Sequence, residues 1–317
     1  GIAMTTGINN TLIGSLAGDA IIGADNNVAL GYNSLSATTV GADNIAIGKD
    51  ALETNVNGSA SIAIGSLALE DQAPAGTGNV YNVAIGHSAG NQINTGVNNT
   101  IVGGLAGDAL TTGESSVAIG KSALGATTVG HDNVAIGKET LASNVLGSSS
   151  IAIGSLALQD QAPTGTGNTY NIAIGHHAGK EVTTGINNTL VGGLAGDALV
   201  TGSYNVALGY GALSAADGSE SKNVAIGANS LAVLNNDGDA FNVAVGYSSG
   251  ASMTTGTLNT IIGALAGDAI TSSIANVAIG YNALSSDTLG DRAVAIGLSA
   301  LASQNFTSST DNFNVAI

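Results

Sequence analysis

Short stretches of this chain alternate bulky and small apolar residues, and the stretches themselves recur from end to end. The recurring string is N-V-A-I-G-x-x-A-L or a close variant, with its glycine at Gly14, Gly31, Gly48, Gly65, Gly86 and onward to Gly297. Most intervals between these glycines are 17 residues, with a few of 18, 19 or 21. Counting back from each glycine, position −3 is always β-branched, position −2 is mostly Ala, and position −1 is Ile, Leu or Val. A bulky–small–bulky run with a period of two predicts a strand, here with branched residues on one face. The glycine predicts the turn that ends it. Ala or Ser at +3 and Leu at +4 suggest a second short strand, followed by a Thr-, Gly- and Asp-rich return loop. A fixed period of this length predicts a solenoid, one coil per repeat. The expected fold is therefore all-β, a parallel β-solenoid or β-roll running through residues 1–317 as a single continuous array. In that reading the branched face fills the core, and the Ala face is small enough for a neighbouring chain to approach.

At position −4, 14 of 18 coils carry Asn: Asn10, Asn27, Asn44, Asn82, Asn99, Asn133, Asn171, Asn188, Asn205, Asn223, Asn242, Asn259, Asn276 and Asn314. Identical amides stacked every ~4.8 Å can bond from coil to coil as a ladder. Ser61, Ser116 and Ser150 keep part of that capacity, whereas Ala293 does not.

A longer period is superimposed, with units of approximately 5–93, 94–182, 183–253 and 254–317. Ser61–Gly90 returns almost letter for letter as Ser150–Gly179. Both copies contain a 21-residue coil holding one of the two prolines, Pro74 and Pro163. The extra residues are expected to bulge outward, and insertions on one face of a solenoid are its natural binding loops. Asp71, Pro74 and Tyr81, with Asp160, Pro163 and Tyr170, are the candidate binding residues. Gly1 and Ile317 lie in phase with the repeat, so coils are expected to continue beyond this window, in the same chain or by end-to-end stacking into filaments.

Composition narrows the function. Acidic residues number 22 against six basic ones, a net charge of −16, which repels nucleic acid and leaves no basic stripe to recruit it. No apolar run approaches the ~20 residues of a membrane span. With no cysteine, thiolate chemistry and disulfides are excluded. Aromatics are 3% of the chain, in keeping with a thin aliphatic core. Catalysis needs unlike groups gathered at one place, whereas stacked coils repeat one environment. His87, His131, His176 and His177 form no metal-type spacing. Asp19, Asp108, Asp197 and Asp268 share the context L-A-G-D-A but recur once per long unit, unlike a calcium roll. The reading is a non-enzymatic chain with no cofactor and no metal.

The motif at Asn82–Ala89 and Asn133–Thr140 resembles the head repeat of YadA-like trimeric autotransporter adhesins, and similar repeats occur in bacteriophage fibres. Coils here are longer than is typical of that family. The resemblance covers essentially the whole chain through one short motif. It implies a left-handed parallel β-roll, three chains packed side by side, and an extracellular, cell-surface or virion-surface location. It implies surface attachment to a host glycan or protein as the function, with a purely structural filament or a phage tail-fibre shaft as the alternative.

Overall fold

The computed structural model describes residues 3–317. Every strand is short, most of three residues, and none of the described residues is helical. The chain forms two compact units, Gly1–Ser155 with Ala162–Asn168, and Leu156–Gln161 with Thr169–Ile317. In the first unit nine strands stack in parallel, from β1 (Thr11–Ile13) to β9 (Ile151–Ile153). In the second, nine more do so, from β10 (Ile172–Ile174) to the last strand, Val315–Ala316. Each unit is thus a parallel β-solenoid of about nine coils, each coil giving one strand to the main sheet, and in the second unit Gly290–Asp291 and Thr310–Asp311 add a separate two-residue parallel pair. Register follows the repeat without slippage: Val28 pairs with Ile45, Ala29 with Ala46, Leu30 with Ile47.

Strands of the main sheet occupy positions −3 to −1, the last only −3 and −2, and the repeat glycines that follow them have φ between +120° and +146°. A Cβ on Gly48 would collide with the carbonyl of Gly65 in the next coil, so the residue is required twice over, by conformation and by space. The second strand expected after the glycine is not formed. Positions +1 to +4 are turns, with left-handed residues at +2 and +4, such as Asp50 (φ 56°) and Leu52 (φ 51°). Alternating hands aim successive carbonyls up and down the stack. Leu35 N–H donates to Ala51 O at 3.1 Å in one direction, and Asp50 N–H donates to Tyr32 O at 3.0 Å in the other. Coil-to-coil bonding therefore continues through the turn without extended geometry. A left-handed Leu costs about 1–2 kcal/mol, which these bonds and the complete burial of Leu52 offset.

The strand faces are the reverse of the expectation. Ala29, Ala46, Ala63 and Ala84 are completely buried within their own chain, so they are not an outer face for a neighbour. The branched residues point outward: Leu30 is 43% exposed and Ile119 37%. The reason is volume. The interior of a coil is already filled by Ala or Ser at +3, the residue at +4, the residue at +7 and the −4 amide, which leaves room for a methyl at −2.

These inner positions compensate one another. In most coils with Leu at +4, such as Leu35, Leu52 and Leu124, position +7 is polar, as Thr38, Asn55 and Thr127 are; the coils of Leu213 and Leu231 instead bury Ala216 and Leu234 there. Where +4 is Gly, as at Gly18, Gly107 and Gly196, position +7 is large and apolar: Ile21, Leu110 and Leu199. These three Gly coils also carry the bulky −2 residues Leu12, Ile101 and Leu190. A Cβ at Gly107 would lie 2.9 Å from Ile101 Cδ1. One large side chain is thus exchanged between positions while the core stays full.

Candidate functional site

The Asn column lies inside. Twelve of its members, Asn27, Asn44, Asn82, Asn99, Asn133, Asn171, Asn188, Asn205, Asn223, Asn242, Asn259 and Asn276, are 0–1% exposed. Asn10 is half-buried and Asn314 exposed. Each interior amide works mainly on the backbone of the next coil. Asn27 Oδ1 accepts from Asn44 N–H at 2.9 Å, and Asn27 Nδ2 donates to Gly41 O at 3.0 Å. Direct amide-to-amide links join Asn27 to Asn10 (3.1 Å), Asn205 to Asn188 (3.1 Å) and Asn259 to Asn242 (3.2 Å). Where Asn is missing, a Gln at +7 can reach across: Gln72 Nε2 donates to Ser61 Oγ at 3.0 Å and Asn82 Nδ2 donates to Gln72 Oε1 at 3.0 Å. Gln161 takes the same bond from Asn171 at 2.9 Å. In the coil lacking any −4 polar group, that of Ala293, Gln304 accepts from Asn314 at 2.7 Å. Sequence reasoning missed these glutamines, although their coincidence with Ser61, Ser150 and Ala293 was visible.

The outer surface of each strand is a strip four residues wide at positions −5, −3, −1 and +1. In the first unit its middle rows run from Thr11 and Ile13 to Ile151 and Ile153, and every −1 residue is Ile, Leu or Val. At ~4.8 Å per coil the strip is about 40 Å long, and with roughly 10 Å of width covers on the order of 400 Å². Apart from Thr11 and Thr100 in the −3 row, these middle rows are apolar, and their footprint is that of the larger apolar patches on protein surfaces. Aromatics edge the strip. Tyr81, Tyr170, Tyr204, Phe241 and Phe313 stand at −5, and Tyr32, Tyr210, Tyr247 and Tyr281 at +1, all roughly half exposed or more. At −5 the second unit adds two cations, each under an aromatic ring of the next coil. Lys222 lies 5.1 Å from the Phe241 centroid and bonds Asp239 at 2.6 Å; Arg292 lies 5.7 Å from that of Phe313 and pairs with Asp311.

The insertion in the first unit begins with Pro74, half-buried against the preceding coil: a Cβ on Gly58 would meet Pro74 Cγ at 2.8 Å. Residues 75–79 then stand exposed, and Val80, 2% exposed, returns the chain to the core. Beside the loop is an open cleft of about 650 Å³ lined by Asp71, Thr54, Gln92, Asn94 and Thr111 among others. Tyr81 points away as an exposed residue whose OH accepts from Asn79 Nδ2 at 2.6 Å. The equivalent residues divide between the units: Pro163 and exposed 164–168 belong to the first, and half-buried Asp160 and exposed Tyr170 to the second.

Titratable groups are dispersed. Among the described residues no three His, Cys, Asp or Glu side chains converge to hold a metal. His176 and His177 stack with centroids 3.9 Å apart, and burial together with that neighbour pushes the His177 pKa down. His131 Nδ1 lies 2.9 Å from Asp132. Burial raises the pKa of Asp108, Asp197 and Asp268 at position +5, and one buried carboxylate oxygen on each of Asp197 and Asp268 lacks a partner. Lys49, paired at 2.8 Å, lowers that of Asp50. No helix of the described residues is long and apolar enough to cross a membrane. Neither the protein-family models nor the curated proteins contain a match to the chain.

Proposed function

We propose that this chain is a non-enzymatic extracellular fibre module, a shaft or head that assembles side by side with copies of itself and mediates surface attachment. The observation that carries this reading is the largely apolar strip of −3 and −1 residues, continuous over each unit and partly exposed in a single chain. Burying it is worth roughly 25 cal/mol per Å², and a partner with the same straight, periodic rows matches it coil for coil. The resemblance of the motif to trimeric adhesin heads supports three chains and a left-handed coil. The interface differs from the sequence expectation: it uses the branched rows, since the alanines are already spent inside each coil. A structural filament is the second reading, favoured by the uniformity of the strip, which repeats one surface rather than presenting a single distinctive site.

Sedimentation at micromolar concentration tests the assembly. A trimer is expected for the wild type. Ile119→Lys with Ile136→Lys places two cations on the strip while leaving the inner rows untouched. The expected result is a folded monomer with unchanged far-ultraviolet circular dichroism. A wild-type chain that remains monomeric and stable overturns the reading. Attachment is separated from a purely structural role by binding of the assembled wild type to cell surfaces or extracted surface glycans.

A further inference from the structure

In the second unit the +1 column reads His176, Gly193, Tyr210, Ala228, Tyr247, Ala264, Tyr281, Leu298. From Gly193 to Tyr281 a small residue alternates with Tyr, and the three tyrosines are 61%, 58% and 55% exposed. Vertical alignment is set by the backbone, because each +1 carbonyl accepts from the +2 N–H of the next coil. Asn229 donates to Tyr210 at 2.9 Å, Ser248 to Ala228 at 2.9 Å, Leu265 to Tyr247 at 2.9 Å and Asn282 to Ala264 at 3.1 Å. The small residues give the rings somewhere to lie: a Cβ built on Gly193 would be 3.5 Å from Tyr210 Cδ2 and 3.8 Å from Cε2. Tyr210 therefore rests along the stack over its smaller neighbour, and Ala228 and Ala264 occupy the corresponding places before Tyr247 and Tyr281. The rings recur every second coil, ~9.6 Å apart.

We propose that Tyr210, Tyr247 and Tyr281 form a linear binding site for a neutral, extended β-1,4-linked polysaccharide. Successive rings of such a polymer are flipped, so equivalent faces recur every second sugar, a distance on the order of the two-coil spacing. The electron-rich face of a Tyr ring attracts the C–H-bearing face of a pyranose as it attracts the positive edge of another ring. Asn229, Ser248 and Asn282 sit beside the column at +2 and supply donors and acceptors for hydroxyls. Charge selects against the alternatives. No charged residue occupies +1 or +2 from Gly193 to Ser299, within a chain of net charge −16, so acidic polysaccharides and nucleic acids are repelled with no local cation to hold them. The first unit lacks the pattern: its +1 column holds one Tyr, Tyr32, among Lys49, Lys121 and Lys138. The proposal deepens the attachment reading and rests on it.

The test is retention of the full chain on microcrystalline cellulose and on chitin, with starch and a collagen-coated surface as contrasts. It is followed by titration with cello- and chito-hexaose read by Tyr fluorescence, which no Trp obscures. Retention on at least one β-1,4 polymer and not on starch is expected. Each of Tyr210→Ala, Tyr247→Ala and Tyr281→Ala should weaken hexaose binding about fivefold. The triple variant should abolish retention with unchanged circular dichroism and sedimentation, and Tyr32→Ala should change nothing. Retention by the triple variant, binding to neither polymer, or binding to collagen alone overturns the proposal. Sedimentation of the wild type keeps the two readings apart: assembly without retention sinks the polysaccharide site alone, and retention by a monomer sinks the fibre alone.

Discussion

The smallest unit of specification here is a buried side chain that completes the hydrogen bonding of a neighbouring coil. Asn205 shows what one residue holds. Its Oδ1 accepts from Asn223 N–H at 3.0 Å, and its Nδ2 donates to Glu220 O at 2.7 Å and to Asn188 Oδ1 at 3.1 Å. Asn205→Ala leaves a buried donor and a buried acceptor unmatched, and should cost about 2–4 kcal/mol in denaturant unfolding. Asn205→Ser should lose roughly half as much, because a serine hydroxyl at the same position does accept the next N–H, as Ser116 Oγ does from Asn133 at 3.3 Å. Asp197 works in the opposite sense. Burial raises its pKa, so the fold favours the protonated acid and is weakened while the pH stays above the folded value. That penalty is relieved as pH falls. Asp197→Asn should therefore raise stability at pH 7 by about half a kcal/mol, a modest gain because the residue is half-exposed, and its advantage should shrink in melts toward pH 4.

At the level of the coil, the sequence states the strand, the glycine turn and the period outright, and hides which face is inside. Bulky–small–bulky alternation defines two faces without labelling them, and bulk argued for the wrong one. The missing clue was parity: Asn at −4 and Ala at −2 lie on the same face of one strand, so an amide column bonded within the stack draws the alanines in with it. The turn after the glycine was illegible for a different reason. Leu is a poor left-handed residue, and only tertiary bonding makes Leu52 adopt φ 51°. The partners of the site, the strip and the Tyr column, were half legible. Tyr210, Tyr247 and Tyr281 follow repeat glycines in the sequence, but their alternation with Gly193, Ala228 and Ala264 gains meaning only when coils are stacked in register. The exchange between +4 and +7 is testable within one coil. Gly107→Leu alone drives a side chain into Ile101 and should destabilise by about 3 kcal/mol. Adding Ile101→Ala and Leu110→Thr reproduces the inner set of the next coil, Ala118, Leu124 and Thr127. The triple variant should return to within about 1 kcal/mol of wild type in chemical denaturation.

At the largest scale, what matters is that within each unit a coil contacts only the coils before and after it. Length should then be adjustable in whole coils and in no other increment. Deleting Tyr32–Gly48, 17 residues of the first unit, joins Gly31 to Lys49 in phase. Strand Val28–Leu30 then meets Ile62–Ile64 in the register it now makes with Ile45–Ile47, and Asn27 Oδ1 is offered Ser61 N–H in place of Asn44 N–H. Every inner position finds its counterpart, so one nearest-neighbour interface is lost and nothing is left unmatched. The variant should fold with a melting temperature within a few degrees of wild type, and its denaturant m-value should fall by roughly the share of chain removed, 17 of 317 residues. Deleting Asn33–Val40 instead removes eight residues and leaves nine in that interval, too few to carry the chain around a coil and back into register. That variant should lose its cooperative transition in the same melt. If the half-coil deletion proved as stable as the whole-coil one, the coil would not be the unit in which this chain folds.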